Sequence, residues 1–352
     1  MATSLKFSAK GKNYTIKANK EVIISAGTYE SPKILELSGI GSSKILNRYG
    51  IAVLSENDNV GENLQDHALI PLAFEAEDGV FTFDLFKNET FFNEALMEYK
   101  VNLTGPLSDG FSSSALLSYE QILPVNDKTK VPKGIDTILS PAQAATKPGL
   151  AHQYQLTRRK ILNAHESSVQ QIVVPNGVTP ALAADAAKWL TDTLPGSYST
   201  LFNVLEHPFS RGFVHINSSN PTIHPTVNPN YLGVAVDLEI VADAMLQLQT
   251  VARTEPLASL LKGNGTVYQP GFYELNEQNV RTHVRSTLNS EYHPCCTCSM
   301  LPRKKGGVVD ERLKVYGTSN LRVVDASIFP LQVRANSTLI LSHLPAASSI
   351  IF

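Results

Sequence analysis

Residues 291–330 read EYHPCCTCSMLPRKKGGVVDERLKVYGTSNLRVVDASIFP, and this tract decides the fold of the chain. It contains a histidine, His293, followed by turns at Gly306 and Gly317 with short apolar runs beside each turn. Apolar runs separated by glycine turns predict short strands that fold back on one another. We therefore expect His293 to lie close to a polar residue further along the chain, Asn336.

The first part of the chain predicts a hairpin that leads into a buried strand and a helix. Two alternating runs between residues 3 and 17 surround a Lys-Gly-Lys turn, and residues 21–25 form the apolar run EVIIS. Alternation followed by a continuous apolar run indicates a hairpin and then a buried strand. Ser31 and Pro32 suit the N-cap and first turn of the next helix.

The middle of the chain, residues 68–288, predicts a mixture of strands and amphipathic helices. Strands are predicted at residues 68–75, 200–206 and 213–216, and helices at residues 86–99, 180–192, 237–253 and 274–288. Such a mixture between two segments of different character predicts a separate domain. The fold class is therefore mixed α/β.

Three tracts in the chain resemble signatures of the glucose-methanol-choline (GMC) family of flavin-dependent oxidoreductases. They are the tract at residues 291–330, the sequence GTYESPKILELSGIG at residues 27–41, and VGENLQDH at residues 60–67. The resemblance extends from about residue 21 to the end of the chain. The family begins with a βαβ unit whose glycine-rich turn binds the flavin pyrophosphate, and this unit should precede residue 1.

The resemblance implies a fold and a cofactor. Residues 1–66 and 289–352 would form an incomplete FAD-binding domain, and residues 67–288 a substrate-binding domain of sheets and helices. The implied cofactor is FAD, and we expect it to bind weakly without the glycine-rich turn that would neutralise its phosphates.

The resemblance also implies catalytic roles for His293 and Asn336 in oxidising an alcohol. A histidine suits removal of the hydroxyl proton because its pKa of about 6.5 leaves it largely neutral near pH 7. An asparagine cannot act as a base, but its amide can hold the substrate oxygen by a hydrogen bond. Taken alone, His293 would be a structural histidine beside a proline, and Asn336 a turn or N-cap residue.

Further residues would contact the flavin by the same resemblance. Those near the nucleotide, ribityl chain and ring are Gly27, Ser31, Asp325, Ala326, Ser337 and Thr338. The simpler interpretation of an acidic residue at a strand end such as Asp325 is a helix cap.

The three cysteines, Cys295, Cys296 and Cys298, lie within four residues of one another. Together with His293 they are four potential zinc ligands, but ligands this closely spaced seldom reach one ion, so we predict no metal site. The GMC family usually has glycine at the position of Cys296, and we expect a side chain there to crowd the site.

Composition limits the partners of the chain. With 352 residues, 43% of them hydrophobic, and a formal charge of −2, it has a sizeable core and no strong field for nucleic acid. No apolar run reaches the length of about 20 residues that a membrane span needs. We expect a small-molecule alcohol as substrate, and neither nucleic acid nor a membrane as partner.

The cellular location is not predicted by the sequence. The start of the chain has no apolar signal-peptide region. Asn-x-Ser/Thr sequons would nevertheless be glycosylated in a secreted relative, and they occur at Asn13, Asn88, Asn102, Asn217, Asn264 and Asn336.

Two alternatives to alcohol oxidation stay open. One is an inactive fragment that self-associates, or that binds a partner chain covering the missing N-terminal half, through exposed apolar surface. The other is a non-redox enzyme, of the lyase or cyclase type, that uses His293 for acid–base chemistry.

Overall fold

A computed structural model of the chain describes residues 1–108, 113–122, 129–140, 147, 149–178 and 195–337. These residues form helices and strands in alternation along the chain, and the predicted mixed α/β class is confirmed. Within the described residues, none of the helices combines the length and the apolar content that crossing a membrane requires.

The strands are short except in the central sheet. In chain order they are β1 (Ser4–Ala9), β2 (Lys12–Lys17), β3 (Val22–Ile24), β4 (Ile40–Gly41), β5 (Ser55–Glu56), β6 (Glu62–Leu64), β7 (Ala68–Glu75), β8 (Ser113–Leu117), β9 (Val169–Val174), β10 (Tyr198–Leu205), β11 (Gly212–His215), β12 (Thr226–Asn228), β13 (Asn289–Ser290) and β14 (Leu321–Val323).

The helices range from one turn to five. In chain order they are α1 (Gly27–Leu37), α2 (Ser43–Arg48), α3 (Glu89–Asn102), α4 (Tyr119–Ile122), α5 (Lys130–Ile138), α6 (Leu150–Ile161), α7 (Ala235–Ala252), α8 (Lys262–Gly265) and α9 (Val280–Thr287). Short 3-10 helices occur at Phe83–Lys87, Ala258–Leu260, Arg303–Lys305 and Ala326–Ile328.

The largest sheet is antiparallel and has the strand order β13-β7-β10-β9-β8. Its two longest strands, β7 and β10, pair along their whole length, from Ala68 opposite Leu205 to Glu75 opposite Tyr198. A smaller antiparallel sheet has the order β12-β11-β6. The parallel pair β3-β14 joins the beginning of the chain to its end, with Val22 opposite Leu321.

Buried apolar residues form two large clusters. One contains side chains from β7, β10 and α7 and lies between the central sheet and the helices that cover it. The other contains side chains from β3, α1 and residues 295–329. This separation is the reason that we propose two domains with boundaries near residues 67 and 289.

Several predicted elements match observed ones, and the differences have local causes. The hairpin β1-β2 and the strand β7 are where the sequence places them. The helix predicted from residue 274 begins only at Val280, because the Asn276 side chain accepts hydrogen bonds from Gln278 and Asn279 and forms a turn there. The predicted helix at residues 180–192 lies outside the described residues.

Helix α1 begins at Gly27, four residues before the predicted N-cap Ser31, so Pro32 lies inside the helix. A proline lacks the N–H that would bond to the carbonyl four residues earlier, which here belongs to Thr28. The Thr28 carbonyl oxygen instead accepts a hydrogen bond of 2.6 Å from the Thr297 hydroxyl. The proline therefore leaves a carbonyl that ties α1 to the segment following His293.

A histidine with two carboxylate partners joins α1 to the smaller sheet. His215 Nδ1 lies 2.8 Å from Glu36 Oε1, and His215 Nε2 lies 3.2 Å from Glu62 Oε1. Glu36 is fully buried. Burial alone would lower the pKa of His215, but the hydrogen bonds to Glu36 and Glu62 outweigh burial and raise the pKa to about 9. His215 is therefore a cation at neutral pH.

We predict that His215→Gln lowers the free energy of unfolding by about 3 kcal/mol at neutral pH, because Glu36 loses a buried cationic partner. The His215 charge contributes stability that is fully present below the unfolded-state pKa of about 6.5. That stability is lost as the pH rises through about 9. Urea unfolding at a series of pH values should show the difference between the two proteins shrinking over this range.

The control for this measurement is His224→Gln, which changes a histidine whose side chain is 95% exposed. It should leave the free energy of unfolding unchanged at every pH. A His215→Gln effect that is independent of pH would contradict a charged pair at this position.

Candidate functional site

The backbone of His293 is held from two sides. Its N–H donates a 3.0 Å hydrogen bond to Asp66 Oδ1, and its carbonyl oxygen accepts one of 3.0 Å from Gln332 Nε2. The other Asp66 oxygen accepts hydrogen bonds from the hydroxyls of Tyr231 and Ser290. The position of His293 is therefore set by residues from the β6–β7 connection, the middle of the chain and the tract after β14.

The ring of His293 contacts the ring of a second histidine, His67. The two Nδ1 atoms are 3.1 Å apart, and the rings meet edge to face at 82°. On its other side, His67 Nε2 lies 3.0 Å from the carbonyl oxygen of Val333. His67 is completely buried, whereas His293 is partly exposed.

Burial keeps both rings neutral near pH 7. It is the largest cause that lowers the pKa of His67 to about 3, followed by the neighbouring charges of His293 and His207. Burial also lowers the pKa of His293. A pair of neutral imidazoles follows, and each ring then has one N–H donor and one acceptor nitrogen.

The hydrogen bonds assign the tautomer of each ring. A carbonyl oxygen only accepts, so the contact with Val333 requires that His67 Nε2 carries the proton. His67 Nδ1 is then an acceptor, and His293 Nδ1–H must donate to it. The remaining ring nitrogen of His293, Nε2, is left unprotonated. The geometry thus turns His293 Nε2 into a base at neutral pH.

A buried carboxyl group lies beyond His67. Glu206 Oε2 is 3.7 Å from His67 Nε2 and accepts a hydrogen bond from the backbone N–H of Ala335. Burial raises the pKa of Glu206 to about 7. Burial, followed by the charges of Glu206 and Asp66, raises the pKa of Glu291 to about 8. Both carboxyl groups therefore keep their protons to a higher pH than an exposed glutamate does.

The bond between Glu206 and Ala335 brings the backbone just before Asn336 to the histidine pair. Ala335 has a positive φ of 55°, which turns the chain at this point. Asn336 itself is exposed and Ser337 is buried, while Thr338 lies outside the described residues. The structure thus brings the segment of the second predicted catalytic residue to the first.

Three of the predicted flavin-contacting residues meet at one carboxylate. Asp325 Oδ2 accepts hydrogen bonds from the Gly27 N–H, at 3.0 Å, and from the Ser31 hydroxyl. Asp325 Oδ1 accepts from the N–H and the hydroxyl of Ser327, in the 3-10 helix that Ala326 begins. Asp325 therefore caps two helices at once.

The start of α1 is also bonded directly to the His293 segment. The Thr28 hydroxyl donates a hydrogen bond of 2.8 Å to the carbonyl oxygen of Pro294, and the Thr297 hydroxyl donates one to the carbonyl oxygen of Thr28. Burial, followed by the charge of Asp66, raises the pKa of Tyr29 to about 12. Hydrogen bonds thus connect the segment of the predicted catalytic histidine with the segment of the predicted flavin-contacting residues.

Sequence reasoning missed several residues of this site. Asp66 and His67 lie in the tract VGENLQDH, whose resemblance was the available signal. Glu206 and Gln332 lie outside the three tracts that resemble the family, and only the tertiary fold brings them to the site. Among the described residues, no three His, Cys, Asp or Glu side chains are arranged to hold a metal ion.

Comparison with known proteins places the chain in a family. Residues 1–69 and 208–344 match two family models, both described as GMC oxidoreductase. The chain belongs to the GMC oxidoreductase family, and the resemblance of the three sequence tracts is confirmed.

Curated relatives match nearly the whole chain. The GMC oxidoreductase family protein Mala s 12 of Malassezia sympodialis is 34% identical over 334 residues, covering 94% of this chain and 49% of the relative. A dehydrogenase of Armillaria gallica is 31% identical over 336 residues, covering 94% of this chain and 50% of the relative. The chain spans about half the length of the curated relatives it matches.

Solved structures share the fold. A FAD-dependent oxidoreductase from Chaetomium thermophilum superposes with a TM-score of 0.81 at 24% identity, covering 99% of this chain and 58% of that chain. A fungal aryl-alcohol oxidase superposes with a TM-score of 0.78 at 25% identity, covering 97% of this chain and 56% of that chain. The architecture described above is therefore that of GMC oxidoreductases.

The tautomer assignment can be tested by NMR without any substrate. We predict that the ring ¹⁵N spectrum at neutral pH shows His293 with a protonated Nδ1 and an unprotonated Nε2, and His67 with the opposite arrangement. His293→Gln and His67→Gln would assign the signals. A His293 ring protonated on Nε2 would contradict the order of hydrogen bonds that runs from Val333 through His67 to His293.

Proposed function

We propose that this chain forms the substrate side of a flavoenzyme that oxidises an alcohol, with His293 as the proton acceptor. The observation that carries the proposal is the His67–His293 contact of 3.1 Å, because it leaves His293 Nε2 free of a proton. A base must be unprotonated at the working pH to accept the hydroxyl proton. The names of similar proteins support this chemistry, since they include an aryl-alcohol oxidase and a patulin synthase.

FAD is the cofactor that we propose, and when bound it would supply the acceptor for the hydride. The carboxyl ends of β3 and β14 and the start of α1 meet at Asp325, and ligands of parallel α/β sheets bind at such ends. Both oxygens of Asp325 already accept hydrogen bonds. We infer that Gly27, Ser31 and Asp325 support FAD through the shape of this turn, and that Ala326 and Ser337, together with Thr338, contact it.

The histidine pair lies in surroundings that suit a polar ligand. Glu206 Oε1 and Glu291 Oε2 are buried and have no hydrogen-bond partner among the described residues. An unsatisfied buried oxygen costs about 1–3 kcal/mol, so a polar group bound beside it is stabilised. These oxygens support binding of a hydroxyl-bearing substrate near His293.

Asn336 is proposed as the second substrate-binding residue. The preceding residue, Ala335, is held by its hydrogen bond to Glu206, so the backbone of Asn336 has a defined position beside the histidine pair. Its amide would donate a hydrogen bond to the substrate oxygen as the proton leaves toward His293. Glu206 acts on this step through Ala335 and is a positioning residue.

We predict that the purified chain, mixed with FAD and freed of excess on a desalting column, retains flavin absorption bands in the protein fraction at less than one FAD per chain, because the binding expected from the sequence is weak. The fraction bound reports how well the turn around Asp325 holds the cofactor. Gel filtration of the same sample shows whether the chain self-associates. A colourless monomeric protein would rule out the oxidoreductase proposal for this chain on its own, and would leave a fragment that needs a partner chain or the non-redox alternative.

We predict that His293→Gln lowers the rate of alcohol oxidation by the flavin-loaded chain about 10²- to 10⁴-fold, the usual contribution of a general base. The wild-type rate should fall only at acid pH, below about 6.5, because burial lowers the pKa of His293. Steady-state rates with a series of simple alcohols would measure both effects.

Two further variants separate the roles in this experiment. Asn336→Ala should lower the rate while the pH profile stays unchanged, since it removes a donor and not the base. His224→Gln alters an exposed histidine and should match the wild type. A His293→Gln variant that binds FAD and retains the full rate would refute the role of His293.

A further inference from the structure

Two adjacent cysteines, Cys295 and Cys296, follow closely after His293 and face each other. Their sulfur atoms are 2.9 Å apart, and both residues are free thiols with at most 1% of their surface exposed. The proposed oxidation of an alcohol uses neither thiol. Burial holds the pKa of the Cys295 thiol well above its ordinary value, so the resting form of the pair is the dithiol.

A buried arginine, Arg211, lies close enough to both thiols to interact with them electrostatically. Its Nη1 atom donates to the carbonyl oxygens of Pro208 and Ser210. Its Nη2 atom is buried and has no hydrogen-bond partner among the described residues. Burial and the neighbouring Cys296 thiol raise the pKa of the Cys295 thiol, and the positive charge of Arg211 opposes them in part. The thiolate is the form that attacks an oxidant or a second sulfur.

We propose that Cys295 and Cys296 are a reversible redox site that closes into a disulfide between adjacent residues. The oxidant is a small peroxide, such as hydrogen peroxide. The thiolate of one cysteine attacks an oxygen of hydrogen peroxide, the O–O bond breaks, and a sulfenic acid forms while hydroxide leaves. The hydroxide takes up the proton that the thiol released and becomes the first water. The second thiol then displaces the hydroxyl of the sulfenic acid, which leaves as a second water when the S–S bond forms. Two electrons pass from the thiols to the peroxide.

The spacing of the two residues makes such a disulfide easy to reduce again. Neighbouring Cα atoms are about 3.8 Å apart across a trans peptide. Most disulfides join Cα atoms about 4.4–6.8 Å apart, and a bond formed outside this range is strained. Strained disulfides have higher reduction potentials and are the labile ones. Cys296 has a positive φ of 80°, so the backbone already turns at the second of the two cysteines.

The pair is connected to the histidine site by one side chain. The Cys295 thiol donates a hydrogen bond to Gln332 Oε1. Gln332 Nε2 in turn donates a hydrogen bond of 3.0 Å to the carbonyl oxygen of His293. Closing the disulfide removes the thiol proton and so removes the donor to Gln332. The oxidation state of the cysteines is therefore transmitted to the backbone of His293.

The test is a thiol count on the intact chain. The reduced protein is incubated with hydrogen peroxide for hours, because buried thiols react slowly. It is then denatured and alkylated, and its mass is measured by mass spectrometry. The reduced chain should take up three alkyl groups, one for each cysteine. The oxidised chain should take up one, on Cys298, and dithiothreitol should restore the other two.

Variants keep the outcome specific. Cys298→Ser changes a buried thiol two residues further along the same segment and should still form the disulfide. Cys295→Ser and Cys296→Ser should not form it, while circular dichroism shows that each variant is folded. Three alkylated thiols after peroxide treatment, a bond that includes Cys298, or a bond between two chains would each overturn the proposal.

A second readout is the ring ¹⁵N spectrum of His293, which should shift when the wild type is oxidised. In Cys296→Ser the same peroxide treatment should leave it unchanged. Disulfide formation without any shift of the His293 signal would overturn the connection through Gln332.

Discussion

The carboxylate of Asp325 is the group on which the rest of this structure depends. It follows β14 near the end of the described chain, yet one of its oxygens binds the first turn of α1 and the other begins the 3-10 helix Ala326–Ile328. A carboxylate at a helix N-terminus is stabilised by the helix dipole as well as by its hydrogen bonds. Both helices start at the same carboxylate, so the start of α1 and the segment after β14 have a fixed relative position.

That fixed position determines where the site lies. Because α1 begins at Gly27, Pro32 falls inside the helix and the Thr28 carbonyl is released to accept from Thr297. The Thr28 hydroxyl in turn binds Pro294, next to His293. A proline that would ordinarily weaken a helix thus provides the acceptor that positions the segment following His293. The energy lost within α1 is offset by a buried hydrogen bond to another part of the chain.

The sequence predicted the architecture and singled out His293 as a candidate site residue, but it did not predict the chemical state of that histidine. His293 could be chosen because its flanking tract resembles a family signature, and β7 and α7 because their apolar patterns are long. The unprotonated Nε2 of His293 depends on His67, His67 depends on a carbonyl of Val333, and neither contact has a local signal. A series of hydrogen bonds that connects three segments distant in sequence is a property of tertiary structure alone. The same is true of Glu206, which lies where β10 ends and becomes part of the site only because Ala335 turns toward it.

The burial of these groups explains why the site uses neutral rings. A protonated His67 would have to be desolvated completely, and its pKa near 3 reflects that cost. Glu206, at 3.7 Å, compensates only in part, since burial raises its pKa to about 7 and leaves it partly protonated at neutral pH. A neutral imidazole therefore lies beside a carboxyl group that is only partly ionised. A proton that arrives at His293 Nε2 would change this balance, because it would place a cation against His67, whose other ring nitrogen lies 3.7 Å from the Glu206 carboxyl group.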